Sequence, residues 1–126
     1  MTTPIYTLQV QQHFAAAMQL TDFSGPCAQL HGHTYQVTAM VSAHKLDQHG
    51  MLVDHTALSS ALQDVLAPFD HAFLNELPAF TDKAPTSEHL AQIIYQTLAK
   101  RINTDRITLQ SITIAENPHV LISYAE

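Results

Sequence analysis

One cysteine and two histidines lie close together between Cys27 and His33, and their types and spacing suit metal and acid–base chemistry. His31 and His33 are separated by one residue, so in an extended segment both side chains point to the same face. A pair of imidazoles on one face supplies half of a transition-metal site. Cys27 is near enough in the sequence to share the same pocket. The stretch therefore predicts a metal site with a thiol beside it.

The residues on either side of this stretch predict two long strands that would position it. From Tyr6 to Phe14 most even-numbered residues are apolar and the odd-numbered ones polar, which is typical of a half-buried strand. After His33 an apolar row continues with the same odd parity, at Tyr35, Val37, Ala39 and Val41. We therefore expect the two histidines to begin the second strand, on its apolar face.

The rest of the chain predicts helices followed by further strands. Residues 51–53 are expected to form a short returning strand, and Asp54 and Thr86 to cap two helices. The apolar faces of these helices would be Leu58, Leu62, Val65, Leu66 and Phe69 in the first, and Leu90, Ile93, Ile94 and Leu98 in the second. A change of parity near Gln110 predicts either a bulge or a break in the next strand. Residues 120–124 are expected to form the last strand. This order indicates an α+β fold with four main antiparallel strands and paired helices.

Length and composition narrow the class of protein. The 126 residues predict a single domain spanning 1–126, with 46% hydrophobic and 13% charged residues. A formal charge of −6 with five Lys and Arg residues argues against nucleic acid or an anionic membrane as partner. The single cysteine excludes an internal disulfide, and no signal peptide or membrane span is apparent. We therefore expect a cytoplasmic protein.

Five ordered motifs resemble those of the 6-pyruvoyl-tetrahydropterin synthase superfamily, and the similarity covers nearly the whole chain. The spacing of Cys27, His31 and His33 resembles the 6-carboxytetrahydropterin synthase (QueD) branch. The other motifs lie at residues 50–54, 66–78, 85–88 and 112–116. The resemblance implies the tunnelling fold (T-fold), in which a four-stranded antiparallel sheet carries two helices on one face. It also implies homo-oligomers, trimers or stacked hexamers, whose sheets join into a barrel with active sites between subunits.

The resemblance also implies roles for individual residues. His31 and His33 would be two of three zinc ligands, with Cys27 as general base or acid beside the metal. Asp70 and His71 would complete a proton relay, in which the carboxylate orients the imidazole. Glu116 would anchor the pterin ring, and Thr86 and Ser87 would contact the same ring. The plainer alternatives are a loop cap for Asp70, a surface histidine at 71, a helix cap at Thr86 and a surface charge at Glu116.

The chain departs from the family pattern where the first zinc ligand is expected, because Met18 replaces that histidine. Three outcomes remain open. The two histidines could bind metal weakly with another group, the site could use a softer metal or recruit Cys27, or metal and catalysis could both be lost. Gln19, Pro26 and Gln29 also stand where basic residues are common in this branch, so the substrate could lack a triphosphate.

The sequence thus predicts a lyase that converts dihydroneopterin triphosphate into 6-carboxytetrahydropterin, releasing acetaldehyde and triphosphate, in the route to the queuosine precursor. Two alternatives stay open. One is a related pterin lyase that acts on a substrate without the triphosphate or with a different side chain. The other is a paralogue that binds a pterin or a metal without catalysis, which Met18 favours.

Overall fold

The computed structural model describes residues 2–126, apart from the side chain of Cys27. Its five-stranded sheet has the order β3-β1-β2-β4-β5. The strands are β1 (Tyr6–Met18), β2 (His31–Ala43), β3 (Ala72–Phe73), β4 (Thr108–Asn117) and β5 (Val120–Tyr124). The two α-helices are α1 (His55–Leu66) and α2 (Ser87–Ile102), and short 3-10 turns lie before β2 and between the helices.

The longest pairing joins β1 and β2 in antiparallel register, from Tyr6 opposite Ala43 to Met18 opposite His31. The alternation predicted for β1 is confirmed, and the strand continues four residues beyond Phe14 to Met18. Even-numbered residues of β1 and odd-numbered residues of β2 face the helices, because residues directly opposite each other in an antiparallel pair share a face. Strands β1 and β2 therefore contribute the following residues to the core: Phe14, Ala16, Met18, Tyr35, Val37, Ala39, Val41 and Ala43.

Both helices begin where the sequence predicts their caps. The Asp54 carboxylate accepts a hydrogen bond from the Thr56 N–H, and the Thr86 hydroxyl accepts one from the His89 N–H. Such caps satisfy backbone donors that the first helical turn leaves unpaired. The helices bury Leu58, Leu62, Leu90, Ile94 and Leu98 against the sheet and each other. The predicted α+β class, with both helices on one face of the sheet, is confirmed.

Two details of the predicted strand order are wrong. Residues 51–53 form no strand, because the carboxylate of Asp47 accepts hydrogen bonds from the backbone of His49 and Met51 and closes a local turn there. A short strand, β3, lies instead parallel to the end of β1, with Ala72 opposite Ala16. The sheet is therefore mixed, with five strands rather than four.

The predicted irregularity in β4 is confirmed at Gln110. Met40 lies opposite Ser111 and Val41 opposite Leu109, so Gln110 is the extra residue of a bulge. The bulge explains why the buried residues of β4 change from odd to even positions, since it turns both Leu109 and Ile112 into the core.

Neither of the helices in residues 2–126 is long and apolar enough to cross a membrane.

Candidate active site

Three side chains that could bind a metal or a substrate meet at the end of the β1–β2 pair. His31 and His33 lie on the helix-facing side of β2, and their ring centroids are 4.7 Å apart. Met18 lies directly opposite His31 and is only 5% exposed. The strand alternation therefore brings the two predicted ligands together, as expected. It also places the Met18 side chain on their face, where the family pattern has a third histidine.

His33 packs against a pair of stacked aromatic rings. The ring centroid of His33 lies 5.3 Å from that of Tyr35, and Tyr35 in turn stacks on Phe14 at 4.9 Å. Burial lowers the pKa of His33 below its ordinary value of 6.5; the Glu116 carboxylate opposes this shift and His31 adds to it. At neutral pH His33 is therefore an uncharged imidazole, which can accept a proton or offer a lone pair.

A carboxylate and a hydroxyl lie next to this histidine pair. The Ser87 hydroxyl, at the buried start of α2, donates a 2.5 Å hydrogen bond to Oε1 of Glu116 near the end of β4. Burial and the nearby Glu116 carboxylate together raise the pKa of the Tyr35 hydroxyl. The fold thus brings Glu116, Ser87 and His33 into one neighbourhood. Thr86 lies beside them as the cap of α2.

Asp70 and His71 form a separate pair at the outer edge of β1. His71 has a left-handed backbone with φ of 59°, and its Nδ1 lies 3.0 Å from Oδ1 of Asp70. The Ala15 N–H donates to the Asp70 carboxylate, and the His71 N–H donates to the Ala15 carbonyl. The hydrogen bond from Ala15, together with His71, holds the pKa of Asp70 below its ordinary value of 3.8. Adjacent residues therefore meet because the backbone is irregular there.

Strand β1 lies between the two groups. Within residues 2–126 no hydrogen bond or ion pair connects Asp70 or His71 to His31, His33 or Glu116. The side chain of His71 is 83% exposed and that of Asp70 45% exposed. Cys27, the third predicted catalytic residue, has a side chain outside the described part of the structure. The described part of the chain therefore holds the predicted site residues in two separate groups rather than in one.

Gln19 and Asn75 form a pair of hydrogen bonds, here called the clamp, that the sequence did not predict. The Gln19 N–H donates to Oδ1 of Asn75, and Nδ2 of Asn75 donates back to the Gln19 carbonyl, at 2.9 and 2.7 Å. The side-chain amide of Gln19 also donates to the Ala28 carbonyl, in the turn that contains Cys27. Asn75 belongs to a recognised motif, but only the fold reveals that it holds the end of β1.

Met18, His31 and His33 share one face of the β1–β2 pair, here called the histidine face. Their side chains do not match the zinc that the resemblance implies. No three His, Cys, Asp or Glu side chains among the described residues are placed to hold one metal ion. The groups that face one another are two imidazoles and the thioether of Met18, whereas zinc in proteins is held by imidazole, thiolate or carboxylate. Glu116 is already bonded to Ser87. Zinc binding therefore stays a prediction.

Comparisons with known proteins agree with the motifs. A sequence profile described as 6-pyruvoyl tetrahydropterin synthase matches residues 7–126. The 6-carboxy-5,6,7,8-tetrahydropterin synthase of Bacillus subtilis is 28% identical over 120 residues, covering 90% of this chain and 80% of the relative. The protein of that name from Haemophilus influenzae is 26% identical over 144 residues, covering 97% of this chain and 100% of the relative.

A solved structure agrees as well. The 6-pyruvoyl tetrahydropterin synthase of Caenorhabditis elegans superposes with a TM-score of 0.86 at 26% identity, covering 98% of this chain and 97% of that one. The resemblance inferred from the motifs and the tunnelling fold that it implies are both confirmed. With motifs, fold and family profile in agreement over nearly its whole length, the chain belongs to the 6-pyruvoyl tetrahydropterin synthase family.

Proposed function

We propose that the chain is a pterin lyase of the 6-carboxytetrahydropterin synthase type. It would convert dihydroneopterin triphosphate and one water into 6-carboxytetrahydropterin, with release of acetaldehyde and triphosphate, in a cytoplasmic route to the queuosine precursor. The names of the relatives from Bacillus subtilis and Haemophilus influenzae support this reaction. The observation that carries it is the hydrogen-bonded pair of Ser87 and Glu116 beside the imidazole of His33.

Glu116 would hold the pterin ring. A carboxylate can accept two parallel hydrogen bonds from the amino and N–H groups of such a ring. The Ser87 hydroxyl occupies one lone pair of Oε1 and fixes the orientation of the carboxylate, which leaves further acceptor sites for the ring. Thr86 lies next to Ser87 at the start of α2 and would contact the same ring. The pterin would thereby reach the face that carries His31 and His33.

Proton transfer would fall to Cys27, Asp70 and His71. As a thiolate, Cys27 would remove a proton from the pterin side chain, and an imidazole at 71 would carry protons to and from the reacting group. Asp70 already lies 3.0 Å from Nδ1 of His71, so it can orient that ring and stabilise its charged form. The side chains around Met18 do not form a three-imidazole zinc site, and in this proposal the protons move only through Cys27, Asp70 and His71.

A homo-oligomer would bring the two groups of predicted site residues together. His71 is exposed at the outer edge of β1, where it can approach the histidine face of a second copy. The two-residue strand β3 covers only a short part of that edge. At the opposite edge of the sheet, β5 exposes Val120 and Leu121. Two open edges suit sheet-to-sheet association into a trimeric or hexameric barrel.

The positions of the basic residues favour a close alternative, a pterin lyase whose substrate lacks the triphosphate. Arg101 pairs with Asp64, and Arg106 donates to the Lys45 carbonyl, so both arginines are engaged elsewhere. Lys83 lines a depression of about 540 Å³ beside Thr86, but Asp22 and Asp82 line the same depression. A tail with several negative charges would meet mixed charges there.

Turnover of two matched substrates, with and without the triphosphate, tests the proposed lyase and its close alternative. Purified oligomer is incubated with dihydroneopterin triphosphate or with dihydroneopterin, and reduced pterin products and acetaldehyde are measured. We expect turnover of one substrate, a loss of about 100-fold or more in Cys27→Ala, and weakened substrate binding in Glu116→Gln. The substrate that is consumed decides between the two lyases. Unchanged substrates with a folded, assembled protein would overturn both.

Met18 favours a second candidate function, a paralogue that binds a pterin without catalysis. A buried thioether replaces the third imidazole beside His31, so the face can be intact for binding yet lack a group needed for turnover. Titration of a reduced pterin by calorimetry tests this function. Tight binding that depends on Glu116, without any product, supports the paralogue, whereas turnover excludes it.

A further inference from the structure

Met18, His31 and His33 offer one thioether sulfur and two imidazole rings as possible metal ligands on one face of the sheet. Residues directly opposite in an antiparallel pair have Cβ atoms about 4.5–5.5 Å apart, so the thioether of Met18 and the ring of His31 start from neighbouring positions on one face. The ring of His33 is centred 4.7 Å from that of His31. Met18 is nearly excluded from solvent, whereas both histidines are half-buried. A small ion could therefore reach all three side chains.

The environment of His31 prepares it to act as a ligand. Its Nδ1 lies 2.7 Å from the Gln29 carbonyl oxygen, which can only accept, so Nδ1 carries the proton. The lone pair of this ring is then on Nε2. A backbone carbonyl that fixes the tautomer in this way is a common partner of metal-binding histidines. Within the described residues, no hydrogen bond occupies Nε2 of His31 or either nitrogen of His33.

The chemistry of the three donors selects the class of ion. Two neutral imidazoles and a thioether bring no negative charge, and a thioether is a soft ligand that suits Cu(I) better than Zn²⁺. We propose that Met18, His31 and His33 together bind a soft monovalent cation, Cu(I), in preference to Zn²⁺. This inference rests on the donors alone and does not depend on lyase activity.

Metal titrations of the full chain, in its native assembly, test the proposal. All proteins carry Cys27→Ser, so that the thiol, itself a soft ligand, contributes nothing. Cu(I) is titrated without oxygen against a chromogenic chelator, and Zn²⁺ against a second one. We expect one Cu(I) per chain, bound more tightly than Zn²⁺. Met18→Leu, which keeps the apolar bulk, should weaken Cu(I) binding by about tenfold or more.

Two further variants complete the design. Met18→His should reverse the preference by raising the affinity for Zn²⁺. The double variant His31→Ala, His33→Ala should lose the bound Cu(I), although the chain has seven other histidines, since nine are present in total. If Met18→Leu does not fold, X-ray absorption of the Cys27→Ser protein loaded with Cu(I) should still detect a sulfur ligand. Tighter binding of Zn²⁺, Cu(I) affinity unchanged in a folded Met18→Leu variant, or an ion without a sulfur neighbour would each overturn the proposal.

Discussion

Two pairs of predicted functional residues, His31–His33 and Asp70–His71, are positioned by opposite means. The first pair is separated by one residue on a regular strand, half-buried, and supported by stacked aromatic rings. The second is a pair of neighbours at a sheet edge, exposed, and made possible by a left-handed backbone at His71. Regular structure places a pair by its period, whereas irregular structure needs specific backbone contacts, here those of Ala15.

The comparison implies that the first pair depends on the core and the second on a few local bonds. Phe14 is 1% exposed and stacks on Tyr35 beneath His33. Asp70 and His71, by contrast, are joined to β1 by two hydrogen bonds to the backbone of Ala15. Substitutions should therefore separate the two regions by the size and the pH dependence of their effects on stability.

The largest effect is expected for Phe14→Ala. Removal of a buried aromatic ring costs about 3–5 kcal/mol, because the cavity that it leaves is only partly refilled. Urea denaturation followed by circular dichroism measures the loss of free energy of unfolding. His71→Ala is the matched control at the edge and should cost far less. Similar costs for the two variants would contradict the distinction between the regions.

Asp70→Ala should have a smaller effect that depends on pH. Because the pKa of Asp70 is held below 3.8 in the folded chain, the unfolded chain takes up the proton first as the pH falls. The stabilisation by the ionised carboxylate is thus complete at neutral pH and is lost below about pH 3.8, as the folded pKa is passed. Denaturation over a pH series should give a less stable variant at pH 7 and a difference that narrows in acid. A constant difference would show that ionisation of Asp70 contributes nothing.

The smallest effect is expected between His71→Gly and His71→Ala. This comparison isolates the contribution of the left-handed backbone at residue 71 from that of the imidazole. A left-handed conformation costs a non-glycine residue about 1–2 kcal/mol, and glycine avoids this cost. His71→Gly should therefore be about 1 kcal/mol more stable than His71→Ala, although both lack the ring. Thermal unfolding of the two variants measures the difference. Equal stabilities would mean that the loop relaxes out of the left-handed conformation.

The same contrast explains how much the sequence could predict. Period-two alternation predicted β1, β2 and the shared face of His31 and His33. The parity change predicted a bulge or a break near Gln110, and the structure has a bulge there. Capping residues predicted both helix starts. The strand predicted at residues 51–53 does not form, because the Asp47 carboxylate accepts hydrogen bonds from the backbone of the local turn. Strand β3 and the left-handed His71 depend on contacts with Ala15 and Ala16 that no local pattern encodes.

The site was predictable only in part for the same reason. Residue types and motifs predicted a role for Glu116 and Ser87, but not the hydrogen bond between them, which joins β4 to α2 across the fold. Likewise, the separation of Asp70 and His71 from the histidine face follows from the position of β1 in the sheet. Spacing along the chain indicates which side chains share a face, and sheet order decides which of them meet.

The clamp at Gln19 has a consequence for motion. Through its side chain Gln19 holds the Ala28 carbonyl, and through its backbone it is held by Asn75. Gln19 therefore holds together the start of the loop that leads from β1 to β2. We therefore expect a displacement of the turn that carries Cys27 to shift the end of β1 next to Met18 and, through Asn75, the segment after His71. Two amide side chains, those of Gln19 and Asn75, thus link three chain segments: the turn that carries Cys27, the end of β1 and the segment after His71.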